Sequence, residues 1–381
     1  MSRGARSRSP HPVASTVAGV GILLVMSTAL ACNSGARSDA PVPARPVVVD
    51  ALTGLSEMPP ALPADPQPTE KPGPVAESEP AKPEVAIPEP AVALPVAADG
   101  TVASACKDGP TGMSCVPGGP FIRGSNEAAP NAAPEATIWL QTFYIDQNEV
   151  TYAEYKACVK ERECPRSGPA YTDFDRPQQP INGISWFDAV AYCESKGKRL
   201  PTEAQWEKAA RGPNGELHPW GDEPATCERA IIKDESGRGC GVLKKGGSKP
   251  ETGRPWVIGS RPAYRYGLFD MAGNSWEWVA DWSSRSYEKC GEHCLGIDPK
   301  GPCGGADECP GYNRKIVRGG SWYWPADHAT GVYRRSHLPK NRPFHHFGFR
   351  CAATVVEAET LRAAPSIGAP EQSSGSAVDA K

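Results

Sequence analysis

The sequence predicts an α+β domain of irregular, loop-rich build, stapled by disulfides. Three observations lead there. Helix-start signatures and strand-like runs are interleaved between residues 114 and 355. From Gly212 to Lys315 the chain is rich in turn residues (Gly, Pro, Asp and Cys), so much irregular backbone that disulfides or metal ions must hold it. Of thirteen cysteines, twelve begin only at Cys106, an even number as pairing requires.

Taken in order, the chain opens with Arg3, Arg6 and Arg8, an apolar run from Val17 to Leu30, and small residues before Cys32. Residues 1–31 read as an export signal, the run being too short to span a bilayer comfortably. Ala29-Leu30-Ala31 fits simple cleavage, although that leaves Cys32 as a thiol without a partner. The expectation is therefore lipid attachment at Cys32, even though Ala29 stands where a lipoprotein signal normally has Leu. A diacylated cysteine holds a protein stably on a membrane. The chain is then expected in the bacterial cell envelope, facing periplasm or cell surface, where thiols oxidise.

Residues 32–104 follow as a linker. Residues 33–104 lack Phe, Trp and Tyr and are dominated by Pro, Ala, Val and Glu. Such a stretch cannot bury enough apolar area to offset its ordering entropy, so a disordered, polyproline-biased spacer is expected. The domain itself is expected over 105–356, which holds all ten tryptophans and shows no second linker. Residues 357–381, rich in Ala, Ser and Gly, are expected to be disordered. A net charge of −3 and a pI near 6.2 argue against nucleic acid as a partner.

Within the domain three helix starts are legible. Thr151 to Glu154 form a capping box leading into Tyr155 and Val159. Ser185 starts a second helix with Trp186, Ala189, Val190 and Cys193 on one face. Thr202 caps a third that carries Trp206 and Ala210 inward and ends at Gly212. Strand-like runs lie at Ser114–Arg123, Ile138–Ile145, Lys315–Trp322 and Gly348–Val355.

Several segments in order carry a family resemblance. They include Val116-Pro117-Gly118-Gly119-Pro120-Phe121, Pro180 to Trp186, Lys198-Arg199-Leu200-Pro201-Thr202-Glu203-Ala204-Gln205-Trp206-Glu207, Gly267 to Trp278, Arg318-Gly319-Gly320-Ser321-Trp322 and Gly348-Phe349-Arg350-Cys351. Across 115–355 the chain resembles the formylglycine-generating enzyme, or sulfatase-modifying factor, family. The resemblance implies a variant of the C-type lectin-like fold.

Activity does not travel with a fold. In that family's oxidases two cysteines after the Gly-Gly-Ser-aromatic motif bind copper as thiolates and oxidise a substrate cysteine to formylglycine. Counted from Gly320-Ser321, those positions here are Trp324 and Ala329, and neither side chain can ligate copper. Ser321 matches the family's serine beside the metal, but has no redox role without the cysteines. No copper and no catalytic residue are expected. The expected function is binding of a peptide, protein or glycan partner by a membrane-anchored domain. The alternative is an oxidoreductase of the formylglycine-generating type acting on a cysteine or other sulfur centre.

The resemblance also implies a calcium loop, with the Asp270 and Glu277 side chains and the Gly273 and Ser275 carbonyls as ligands. A glycine-containing turn with a carboxylate at each end suits calcium's demand for oxygen ligands. It implies a Cys193–Cys351 disulfide as well. Local pairing points to Cys106–Cys115, Cys158–Cys164 and Cys227–Cys240, while Cys290, Cys294, Cys303 and Cys309 allow three connectivities or a zinc site. A ligand groove is expected along Ser321, Trp322 and Trp324, with Arg334 and Arg335 for carboxylate or carbonyl recognition. His345 and His346 are expected on an exposed loop.

Overall fold

The computed structural model describes residues 93–364 apart from 170–173, 236, 242–252 and 342–345. All of these fall in one compact unit spanning Ala86–Lys381. The expected signal segment, Cys32, most of the linker, His345 and the last seventeen residues lie outside the described residues. No helix among the described residues is long and apolar enough to cross a membrane.

In chain order the elements are β1 (Met113–Val116), β2 (Gly119–Arg123), β3 (Ala136–Leu140), β4 (Phe143–Asp146), α1 (Tyr152–Glu161), α2 (Trp186–Ser195) and α3 (Glu203–Arg211). There follow β5 (Trp276–Trp282), α4 (Tyr287–Cys290), β6 (Lys315–Arg318), β7 (Arg335–His337), β8 (Phe347–Gly348), β9 (Ala352–Thr354) and α5 (Val355–Ala363). Among the described residues the strands form three sheets, ordered β1-β4-β9, β2-β3 and β7-β6-β5-β8, and of these strand pairs only β5–β8 is parallel. This is the α+β, loop-rich architecture that the residues predict.

Each predicted helix starts where its cap stands. The backbone N–H groups of Glu154, Asp188 and Gln205 donate to the hydroxyls of Thr151, Ser185 and Thr202, and each N3 side chain answers the cap's own amide. Two orphan donors per helix are thereby satisfied. Gly212 ends α3 at φ 75°. Thr354 caps α5 by the same device with Glu357. The expected disorder therefore does not begin at residue 357: α5 runs to Ala363 and its Ala358 packs with Met113, Tyr144 and Ala353.

Three predicted runs split into pairs of strands. Pro117-Gly118 separates β1 from β2, Gln141-Thr142 separates β3 from β4, and Phe349 to Cys351 separates β8 from β9. Proline supplies no ladder donor, which ends β1. The Gly118 amide instead donates to the Thr142 hydroxyl at 2.9 Å, locking the two breaks together. At the other boundary, Val96 pairs with Val102, and Ala97 and Ala103 pack on Trp139. Order thus precedes residue 105, the point at which the linker was expected to end.

The core is built on tryptophans. Trp206 packs with Phe121, Leu140 and Ile316, while Trp276 and Trp278 pack with Tyr155, Phe347 and Phe349, and all three indoles are buried. Among the described residues six disulfides staple the loops: Cys106–Cys115, Cys158–Cys164, Cys193–Cys351, Cys227–Cys240, Cys290–Cys294 and Cys303–Cys309. The last four cysteines pair locally, which removes the zinc alternative.

Candidate functional site

The end of β6 is held by buried charge. Glu203 and Glu207 lie one turn apart on α3, and Arg318 at the end of β6 donates to both, at 2.9 and 2.7 Å. Arg334 grips both oxygens of Glu203, at 2.7 and 2.8 Å. Arg211 holds Glu207 at 2.7 Å, and the Tyr287 hydroxyl adds 2.9 Å. Burial is the largest single influence on both carboxyls and pushes them up. The guanidinium groups outweigh it, so both are held below the ordinary carboxylate range.

Two glycines then turn the chain. Gly319 and Gly320 sit at φ 96° and 79°, and a Cβ on Gly320 would meet the His328 carbonyl at 2.8 Å. Only glycine fits that approach. This turn delivers the stretch expected to form a groove, and the stretch divides. Ser321 and Trp322 are buried, with Trp322 packed on Phe174 and Ile231, so neither can receive a ligand from solvent. Arg334 is likewise buried and committed to Glu203. Of the expected groove residues, Trp324 and Arg335 remain at the surface.

Those two stack. The Arg335 guanidinium lies 4.6 Å from the Trp324 ring centre and 5.8 Å from that of Trp276. His328 stacks on Trp324 at 4.8 Å and meets Tyr333 at 4.4 Å, with its Nδ1 2.7 Å from Asp327. Arg238 covers the Tyr323 ring at 3.7 Å. The indole N–H of Trp324 finds no acceptor among the described residues. His346, expected on an exposed loop, is instead buried; its ring packs on Tyr323 and its carbonyl accepts from the Trp276 amide. The result is a half-exposed aromatic and cationic face where the family's oxidases place copper. Ala329 is fully buried, and all twelve cysteines of the described residues are in disulfides. Among the described residues no thiolate pair is left for copper(I), so their donor set does not fit that metal.

The Asp270–Glu277 loop lies on the other side of the same strand, where the Gly273 amide donates to the Gly319 carbonyl at 2.8 Å. Asp270 and Asn274 both adopt φ 54°, a region that Asp and Asn enter more readily than other side chains. One Asp270 oxygen accepts from the Gly259 amide at 2.8 Å, while the other is buried without a partner among the described residues. Glu277 turns inward, holding Arg350 through both oxygens at 2.8 and 2.7 Å and accepting from the Trp206 indole at 2.7 Å. The sequence reading missed Glu149, whose carboxylate accepts from the Asn274 side chain at 2.9 Å and the Ser275 amide at 3.0 Å.

Three carboxyls therefore share one guanidinium. Burial, then the charges of Asp270 and Glu277, push Glu149 well above its usual range. Asp270 is pushed up to about 6, chiefly by burial. An oxygen-rich, under-neutralised pocket with one orphaned carboxylate oxygen fits a hard divalent cation. Among the described residues no three acidic, imidazole or thiol groups converge as a preformed cluster. Backbone carbonyls would have to complete any such shell.

The chain matches the family model described as the sulfatase-modifying factor enzyme 1-like domain over residues 98–355. It is 31% identical over 300 residues to the formylglycine-generating enzyme of Thermomonospora curvata, covering 64% of this chain and 93% of that one. The Bos taurus formylglycine-generating enzyme is 28% identical over 316 residues, covering 67% and 78%. Among solved structures, PvdO from Pseudomonas aeruginosa aligns with a TM-score of 0.49 at 24% identity, covering 64% of this chain and 94% of that one. With that match spanning the described domain and its motifs in order, the chain belongs to the sulfatase-modifying factor enzyme 1-like domain family.

Proposed function

We propose that this protein is a lipid-anchored member of the family that binds a peptide, protein or glycan partner in the cell envelope and does not make formylglycine. The observation that carries the reading is the exchange of two thiols for Trp324 and Ala329, in a domain whose cysteines are all consumed as disulfides. What replaces the copper ligands supports binding: a half-exposed indole stacked on His328 and Arg335, with Tyr333 against His328. Exposed aromatic and arginine side chains supply contact area at low entropic cost. Cys32 would provide the anchor, and the residues up to about 92 the spacer.

Calcium belongs to the same reading as a structural ion. Asp270 would hold it with the Gly273 and Ser275 carbonyls, and Glu277 would contribute charge from its place on Arg350. The ion would supply the positive charge that Arg350 alone does not.

The test is direct. Purified protein receives copper(I), oxygen and a peptide bearing Cys-x-Pro-x-Arg. The expected result is no conversion of the cysteine to formylglycine by mass spectrometry; turnover would overturn the reading. Calcium is checked separately by melting in EGTA against calcium. An ion at a hundred times its Kd adds about 2.7 kcal/mol, so an unchanged Tm would remove calcium from the account.

A further inference from the structure

A second feature adjoins the aromatic face. A cavity of about 640 Å³ opens between the chain after β5, the turn at 311–314 and the start of β7. Arg285, Lys289, Arg314 and Arg335 line it, and among the described residues no aspartate or glutamate does. None of these four has an ion-pair partner among the described residues. The guanidinium of Arg314 donates to the Ser336 carbonyl at 3.4 Å, and Arg335 is braced by Trp324 and Trp276. Arg334 also lines the cavity, but its charge is met by Glu203.

Such a concentration does not follow from composition. The whole chain carries a net charge of −3, yet here four cations share a concavity with no acid among them. Like charges gathered in a partly desolvated cleft focus a positive potential, and an anion entering it relieves their repulsion. Guanidinium groups in particular match planar, multi-oxygen acids. The remaining lining is neutral and, apart from Gly311 and Ile316, polar, with Tyr312 offering a ring face and Asn131 and Asn313 offering amides. Side-chain amides and hydroxyls can each donate and accept, as the hydroxyls of a sugar do.

We propose that this cavity binds an acidic oligosaccharide, with its acid groups on Arg285, Lys289, Arg314 and Arg335 and a sugar ring against Tyr312. The proposal rests on the binding reading above and names the class of ligand. Its volume falls in the range that holds a small organic ligand.

The test is calorimetric titration of the full chain with tetragalacturonate, a heparin-derived tetrasaccharide, uncharged maltotetraose and tetra-aspartate. One or both acidic saccharides should bind, weakening as salt rises, while maltotetraose and tetra-aspartate do not. The Arg285→Ser/Arg314→Ser double variant should weaken that binding about tenfold or more. Both side chains are exposed and without an ion-pair partner among the described residues, so the fold should survive, as circular dichroism would check. The Trp324→Ala variant separates the two sites. If it abolishes capture of a partner while the double variant behaves as wild type, the aromatic face stands and this cavity falls. Failure of both acidic saccharides, an unaffected double variant, or equal binding of tetra-aspartate would each overturn the proposal.

Discussion

Asp281, on β5, accepts a hydrogen bond from the Glu203 amide at 2.8 Å, at the start of α3. Burial, then the neighbouring charge of Glu203, push its carboxyl up to about 7 from an ordinary value of 3.8. A folded-state pKa above the unfolded one means that the folded state holds the proton more tightly. Its stabilising contribution is full below about pH 4 and is lost as pH rises through about 7. Stability in urea should therefore decline across that window. Asp281→Asn, which keeps an acceptor for the Glu203 amide, should flatten the decline and unfold at higher urea than wild type at pH 8. Parallel pH profiles for the two proteins would refute this. At the same scale, sequence reading was weakest for neighbours that part company. Trp322 is core and Trp324 is surface; Arg334 is spoken for and Arg335 is not. Alternation along a regular strand would have sorted the tryptophans, but the chain leaves β6 at Arg318 and the Gly319-Gly320 turn intervenes, while Arg334 stands just before β7 and Arg335 opens it.

Helix α3 was legible at its ends and opaque along its length. Its cap, its inward Trp206 and Ala210 and its stop at Gly212 follow from local chemistry. That Glu203, Glu207, Lys208 and Arg211 are buried too does not, because their partners come from far along the chain. Arg318 lies 115 residues from Glu203 and 111 from Glu207. A charged helix whose every residue is buried is stable only in company. Replacing Arg318 with Met should cost about 3–5 kcal/mol, since two buried carboxylates lose their shared counter-charge. Chemical denaturation would read that loss, and a cost under 1 kcal/mol would mean that the pair contributes little. Glu149 escaped notice for the same reason: only the folded loop brings it to Asn274 and Ser275.

For the molecule as a whole, cysteine usage was the most informative part of the sequence. It pointed to an oxidised domain, and the long turn-rich stretch between α3 and β6 carries three of the six bridges. The longest link, Cys193–Cys351, joins α2 to the segment before β9 across 158 residues. By chain entropy, long closures restrict the unfolded state most. Removing it with paired Cys→Ala changes should lower stability by about 2–5 kcal/mol under non-reducing conditions. The Cys290–Cys294 bridge closes only four residues and should matter less. Equal losses from the two would refute the ranking.

The turn at Gly319-Gly320 also acts as a frontier. Upstream of it, Arg318 answers to the interior, and any change there is felt by α3. Downstream, Trp324 comes to the surface and takes no part in that ladder, whereas Ala329 is buried close against Gly320 and Arg334 returns to Glu203. A substitution at 324 can therefore alter the exposed face while the scaffold beneath it stays intact. Mutational tolerance should be high at that one position and low at Arg318, Ala329 and Arg334 on either side of it.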